Sequence, residues 1–191
     1  MKKLFCIALL LIACTTELFS TEIGSKLDIN ILYHPSITLD DQSDLPIFSS
    51  IASTYDFSPF FFKIDNHKFG PFFSILHVSP SIVYNLEFLR EFSAVGLGLN
   101  YAYFFSDKFY LDTKLSMGVG KLGPSQNQEL YSSLSIIPSY VFNKGDSYLI
   151  ALALPINIIY RKYLLSPTVG ISLSISFDWL TDFFSKVQAS K

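Results

Sequence analysis

Past residue 20 the sequence has no cysteine at all, for Cys6 and Cys14 are its only two. That excludes a disulfide framework and a thiolate metal site from everything downstream. Charge is sparse as well, at 16% of residues, and neither sign dominates. Setting aside Lys2, Lys3 and Glu17 with the first 20 residues leaves 12 basic against 15 acidic side chains, a net charge of −3. Nucleic acid is therefore not expected as a partner. Also missing is any long apolar run. Half of the residues are hydrophobic, yet beyond the start no stretch approaches the ~20 apolar residues a spanning helix needs. The best candidate, Tyr148 to Tyr160, has 13 residues and contains Pro155. A membrane protein of this composition must cross as strands. Lipid offers the backbone no hydrogen bonds, so strands cross only as a closed barrel.

The start, MKKLFCIALLLIACTTELFS, places Lys2 and Lys3 before an apolar run from Leu4 to Ala13 and then small and polar residues. This is the pattern of a secretory signal peptide, with cleavage expected after Ser20. Leu11-Ile12-Ala13-Cys14 allows a second processing, in which Cys14 becomes a lipidated N-terminus.

What the sequence has in abundance is alternation of period two, the mark of a strand with unlike faces. In residues 168–177, Val169, Ile171, Leu173, Ile175 and Phe177 alternate with Gly170, Ser172, Ser174 and Ser176. Similar segments occur at 25–33, 93–105, 109–120, 130–142 and 148–160, with less regular ones at 51–64 and 70–85. The total is about eight, an even number. Asp65–Pro71, Ser106–Lys108 and Asn143–Asp146 read as turns at one end. His34–Ser50, the stretch around Leu86–Phe92, Lys121–Glu129 and Arg161–Leu164 read as connections at the other. Aromatic residues gather toward the turn end: Phe60, Phe61, Phe62, Phe72, Phe73, Phe104, Phe105, Phe109, Tyr110, Tyr140, Phe142, Tyr148 and Phe177. Rings at one height are what a membrane–water interface selects. The face opposite the apolar one is mostly glycine, serine and alanine, with few of the lysines, glutamates and aspartates that water would favour along its length. The expectation is an apolar face toward lipid and small residues toward a narrow lumen.

At this point the chain resembles the small outer-membrane β-barrels, the group that includes OmpX, OmpW and the membrane domain of OmpA. The resemblance covers residues 21–177 and rests on pattern. Its most specific part is Gly170, Leu173, Ile175 and Phe177, similar to the C-terminal signal by which the insertion machinery recognises such proteins. The resemblance implies an all-β, closed antiparallel up-and-down transmembrane barrel of about eight strands in the outer membrane of a diderm bacterium. It implies outer-membrane lipid and the insertion machinery as partners, and a monomer. In this group the aromatic usually ends the chain, whereas here residues 178–191 follow. Trp179, Leu180, Phe183, Phe184 and Val187 have helical spacing there, so a short interfacial helix is expected. Pro80 and Pro138, inside expected strands, call for bulges or shortened strands.

The polar residues expected to face the lumen are Asp28, Asn30, Lys63, His77, Asn100, Asp112, Lys114 and Asn157. They could line a narrow pore, or Asp28 and Asp112 could pair with Lys63 and Lys114 in a packed interior. With eight strands the interior is only wide enough for side chains to fill, which favours the second. His77 shares a strand face with Ser79 and Ser81, but a triad also needs an orienting carboxylate, and none can be placed. No enzymatic activity, cofactor or metal is expected. Asp40, Asp41 and Asp44 in the first outer loop lack the spacing and glycine of a calcium loop. Three functions follow as expectations. The first is a barrel with a filled lumen acting structurally or through surface loops. The others are an OmpW-like conduit for small apolar molecules and a periplasmic lipoprotein anchored at Cys14.

Overall fold

A computed structural model describes residues 21–38, 48–79, 92–122, 128–161 and 164–178. The N-terminal segment with Cys14, Asp40, Asp41, Asp44, Pro80, Ser81 and the expected tail helix lie outside the described residues. The strands are β1 (Thr21–Thr38), β2 (Phe48–Ile64), β3 (His67–Val78), β4 (Phe92–Phe104), β5 (Phe109–Leu122), β6 (Gln128–Lys144), β7 (Tyr148–Ala153), β8 (Ile156–Arg161) and β9 (Leu164–Asp178). Each pairs antiparallel with its neighbours, and β1 pairs with β9, so the sheet closes on itself. Both β7 and β8 lie between β6 and β9. They are one strand in two pieces, and the ring has eight walls.

The break falls at Leu154-Pro155, where proline has no N–H to give the ladder. Direct hydrogen bonds hold the gap, from Leu154 N to Pro138 O at 3.0 Å and from Gly170 N to Pro155 O at 3.1 Å. The irregularity expected at Pro138 thus falls on this side. On the β5 side the ladder runs unbroken through Leu111 opposite Pro138. A second irregularity lies between Phe57 and Phe62, where β2 carries an extra residue opposite the stretch of β3 that contains Pro71. Pro71 is therefore accommodated inside β3, and the long turn expected over Asp65–Pro71 contracts to Asp65-Asn66. Asp65 adopts a positive φ of 52°, which the short side chains of Asp and Asn tolerate best after glycine.

The register fixes the shape. From Ser172, the row of cross-strand partners runs through Asn30, Thr54, Leu76, Ala94 and Gly120 to Glu129 in β6. In the other direction it passes through Ala153 and meets β6 at Ser139, ten residues along the same strand from Glu129. With a rise of ~3.3 Å per residue and ~4.8 Å between strands, that stagger over eight strands tilts them by roughly 40° from the barrel axis.

Large apolar side chains cover the outside, with Leu99 and Met117 67% and 68% exposed. An apolar belt of this extent fits a hydrocarbon surround rather than water. Among the described residues no helix is long and apolar enough to cross a membrane. Phe60, Phe73, Phe105, Phe109, Tyr140, Phe142, Tyr148 and Phe177 are exposed on the outer surface, whereas Phe61, Phe72 and Tyr110 turn inward and are buried. This corrects the expected lumen of small residues only. Four inward rings pack where a wall lacks a side chain. Phe61 lies against Gly24 and Gly70, Phe72 against Gly98, Phe92 against Gly120, and Tyr131 against Gly96 and Gly118. Glycine makes room, and an aromatic ring from another strand fills it.

Candidate functional site

Alternation along β1 turns Lys26, Asp28 and Asn30 into the lumen, all buried. Their neighbours come from β2 and from β5, which lies four walls away in the ring of eight. Lys114 of β5 donates to Asp28 of β1 at 2.7 Å and to Asp56 of β2 at 2.5 Å. Lys26 of β1 donates to Asp28 at 2.9 Å and to Asp112 of β5. Acid and base alternate along Asp112, Lys26, Asp28, Lys114 and Asp56, and two of the four links cross the full width of the barrel. Ser74 donates to the second oxygen of Asp56 at 2.7 Å. Asn30 donates to Thr54 at 2.6 Å.

Nearer the turn end, Lys68 donates to Ser176 at 2.9 Å and lies 3.4 Å from the centre of the Phe61 ring. That is a close cation–π contact, strengthened by exclusion of water. Lys26, Lys68 and Lys114 equal Asp28, Asp56 and Asp112 in number, and the ion pairs run through Lys26 and Lys114. Neutrality and multiple partners are what make buried ions tolerable.

Apolar layers close the lumen on both sides of the charges. Toward the outer end Leu32, Leu76, Phe92, Tyr131 and Ile159 pack together, and Arg161 stacks over Phe92 at 4.2 Å. Toward the turns, Tyr110, Val141 and Ala151 form a second layer with Phe104. Between them a cavity of about 20 Å³ remains, lined by Asn30, Asp56, Ser74, Lys114 and Asn157 among others. It has room for about one water molecule. Below the inner layer a hollow of about 380 Å³ opens at the turn end, where Lys63, Lys68, Lys144, Ser176 and Asp178 line it.

Of the residues expected in the lumen, Asp28, Asn30, Asn100, Asp112, Lys114 and Asn157 are buried inside the barrel. Lys63 lies in the hollow at the turn end, its Nζ 5.9 Å from the Phe104 ring. His77 is a correction: it points outward. Burial along β3 alternates, with Lys68, Phe72, Ser74 and Leu76 inside and Phe73, Ile75 and His77 on the other face. There His77 Nδ1 lies 3.0 Å from the Ser93 hydroxyl. The shared parity with Phe73 and Ile75 was the signal in the sequence. Lys26, Asp56 and Lys68 were not singled out. Lys26 has the parity of Asp28, Asp56 precedes the irregular part of β2, and Lys68 sat in the supposed turn. Among the described residues no three His, Cys, Asp or Glu side chains gather as a metal site requires.

A closed ring of tilted antiparallel strands, apolar outside and packed with paired charges within, defines a small β-barrel of the membrane type. The chain is similar to Neisserial surface protein A, with 12% identity over 81% of this chain and 97% of that one and a TM-score of 0.53. It also matches Ail, the attachment invasion locus protein of Yersinia pestis, at 12% identity over 82% and 99% of the two chains, TM-score 0.49. A third match, at 6% identity, is OmpT of Vibrio cholerae, covering 83% of this chain and 56% of that one with a TM-score of 0.33. At these identities the likeness is one of fold. No protein-family model matches the chain, and no curated protein matches it.

Proposed function

We propose that this chain is an outer-membrane protein of a diderm bacterium whose barrel is a sealed anchor, acting structurally or through the connections at its outer end. On this reading residues 1–20 direct secretion, and Gly170, Leu173, Ile175 and Phe177 are read by the insertion machinery. The mature protein is a monomer in lipid. The observation that carries the proposal is the pairing of β1 with β5 across the lumen, Lys114 to Asp28 and Lys26 to Asp112. Side chains from opposite walls meet, and the space left between the apolar layers holds about one water. A conduit would need these pairs to part, at the cost of exposing unpaired ions to a low-dielectric wall. The mature chain, refolded into a planar bilayer, is expected to give no unitary currents. Reproducible currents of fixed size would overturn the sealed barrel and favour the conduit.

A further inference from the structure

The outward position of His77 brings a second group of residues into view. Cross-strand partners place Ser53, His77, Ser93, Lys121 and Gln128 side by side in one row over β2 to β6. All of them are partly or fully exposed, and odd-numbered parity on β3, β4 and β5 aims His77, Ser93 and Lys121 away from the lumen. The row lies toward the outer end of those strands. Directly below it the same outward face turns apolar, with Ile75, Val95 and Val119 as the next partners in register. A groove of about 300 Å³ joins the two zones, bounded by Ser93, Lys121 and Gln128 along one side and by Ile75, Val95 and Val119 along the other. Among the described residues, the outward face near the outer end of the far wall includes the apolar or aromatic Tyr33, Tyr160 and Val169.

A cation and hydroxyl donors above an apolar channel match a molecule with an anionic head and a hydrocarbon tail. The carboxylate that follows Gln128 of the row, Glu129, is paired with Arg161 at 3.5 Å, which offsets its charge against an anion. Lys121 can extend its ammonium group to the headgroup level while its stem stays on the apolar surface. Bonds from charged donors to phosphate oxygens are the stronger kind. In water such an exposed row would be weak, but at a membrane interface the ligand is concentrated in the same plane and its chain is already desolvated. We infer that this row is a binding site for a phosphorylated lipid of the outer leaflet. The phosphate would sit against His77, Ser93 and Lys121, with one acyl chain in the groove over Ile75, Val95 and Val119. The inference rests on the outer-membrane reading above and adds a lipid class and a side of the barrel to it.

The test is native mass spectrometry of the refolded mature chain in detergent with diphosphorylated lipid A, against phosphatidylcholine and inorganic phosphate as competitors. Wild type is expected to retain lipid A. The outward-facing double variant His77→Gln/Lys121→Gln should retain at least tenfold less while keeping its shift in gel mobility on boiling. Lys144→Gln, at the turn end, should behave as wild type. Equal retention by wild type and the double variant would overturn the site. So would equal loss in Lys144→Gln, or displacement of the lipid by millimolar inorganic phosphate, which would mark a phosphate site without lipid recognition. A chain soluble without detergent would instead sink the outer-membrane reading, and the two failures are told apart by that control.

Discussion

Lys114 is held between Asp28 and Asp56, and every side chain of the trio is at least nine-tenths buried. Its charge is tolerable only because both partners are present. Lys114→Met keeps the bulk and removes the charge, leaving two carboxylates short of a partner. Breaking a buried pair from one side costs about 3–5 kcal/mol, so urea unfolding in lipid vesicles should show a loss of that order. A loss under about 1 kcal/mol would mean that water reaches the cluster and screens it. Gly120 makes the converse case. A Cβ there would meet the buried Phe92 ring. Overpacking of a well-filled interior costs about 1–3 kcal/mol, and Gly120→Val should lose that much. Phe92→Leu should restore part of it, and a double-mutant cycle measures how much. Purely additive effects would show that the ring does not occupy the space left by the glycine.

Strand β9 closes the ring against β1, and its outward residues are apolar up to Phe177. Phe177 is half-exposed and pairs in register with Ser25 and Tyr148. Phe177→Ala therefore removes little packing, and refolding into detergent should proceed as in wild type. If the last strand is what the insertion machinery reads, the same variant should accumulate unassembled in cells. Normal assembly in cells would take the signal away from Phe177. The alternation in β9, β5 and β4 was fully legible in the sequence. That of β2 and β3 was not, because the irregularity opposite Pro71 shifts the parity in the middle of β2. The same irregularity hid Asp56 and Lys68 from the list of lumen residues.

At the scale of the whole molecule, eight walls and a ten-residue stagger leave an interior that a few aromatic rings and six charged side chains fill. A ring closed by hydrogen bonds on every side has no edge at which unfolding can start cheaply. The refolded chain in detergent should therefore migrate differently on a denaturing gel before and after boiling. A single mobility under both treatments, with solubility in the absence of detergent, would refute the membrane barrel outright.

The sequence by itself determined the class of structure and, in the regular strands β4, β5 and β9, the side that faces out. Period-two alternation without a long apolar run admits strands only, and an apolar face opposite a nearly chargeless small-residue face fits lipid better than water. The tertiary structure decided what fills the lumen and which ions meet there. Lys26 and Asp112 are 86 positions apart, as are Lys114 and Asp28. Their encounter depends on register around the ring and on opposite walls being close enough to touch. Closure sets that distance, and no local pattern encodes it.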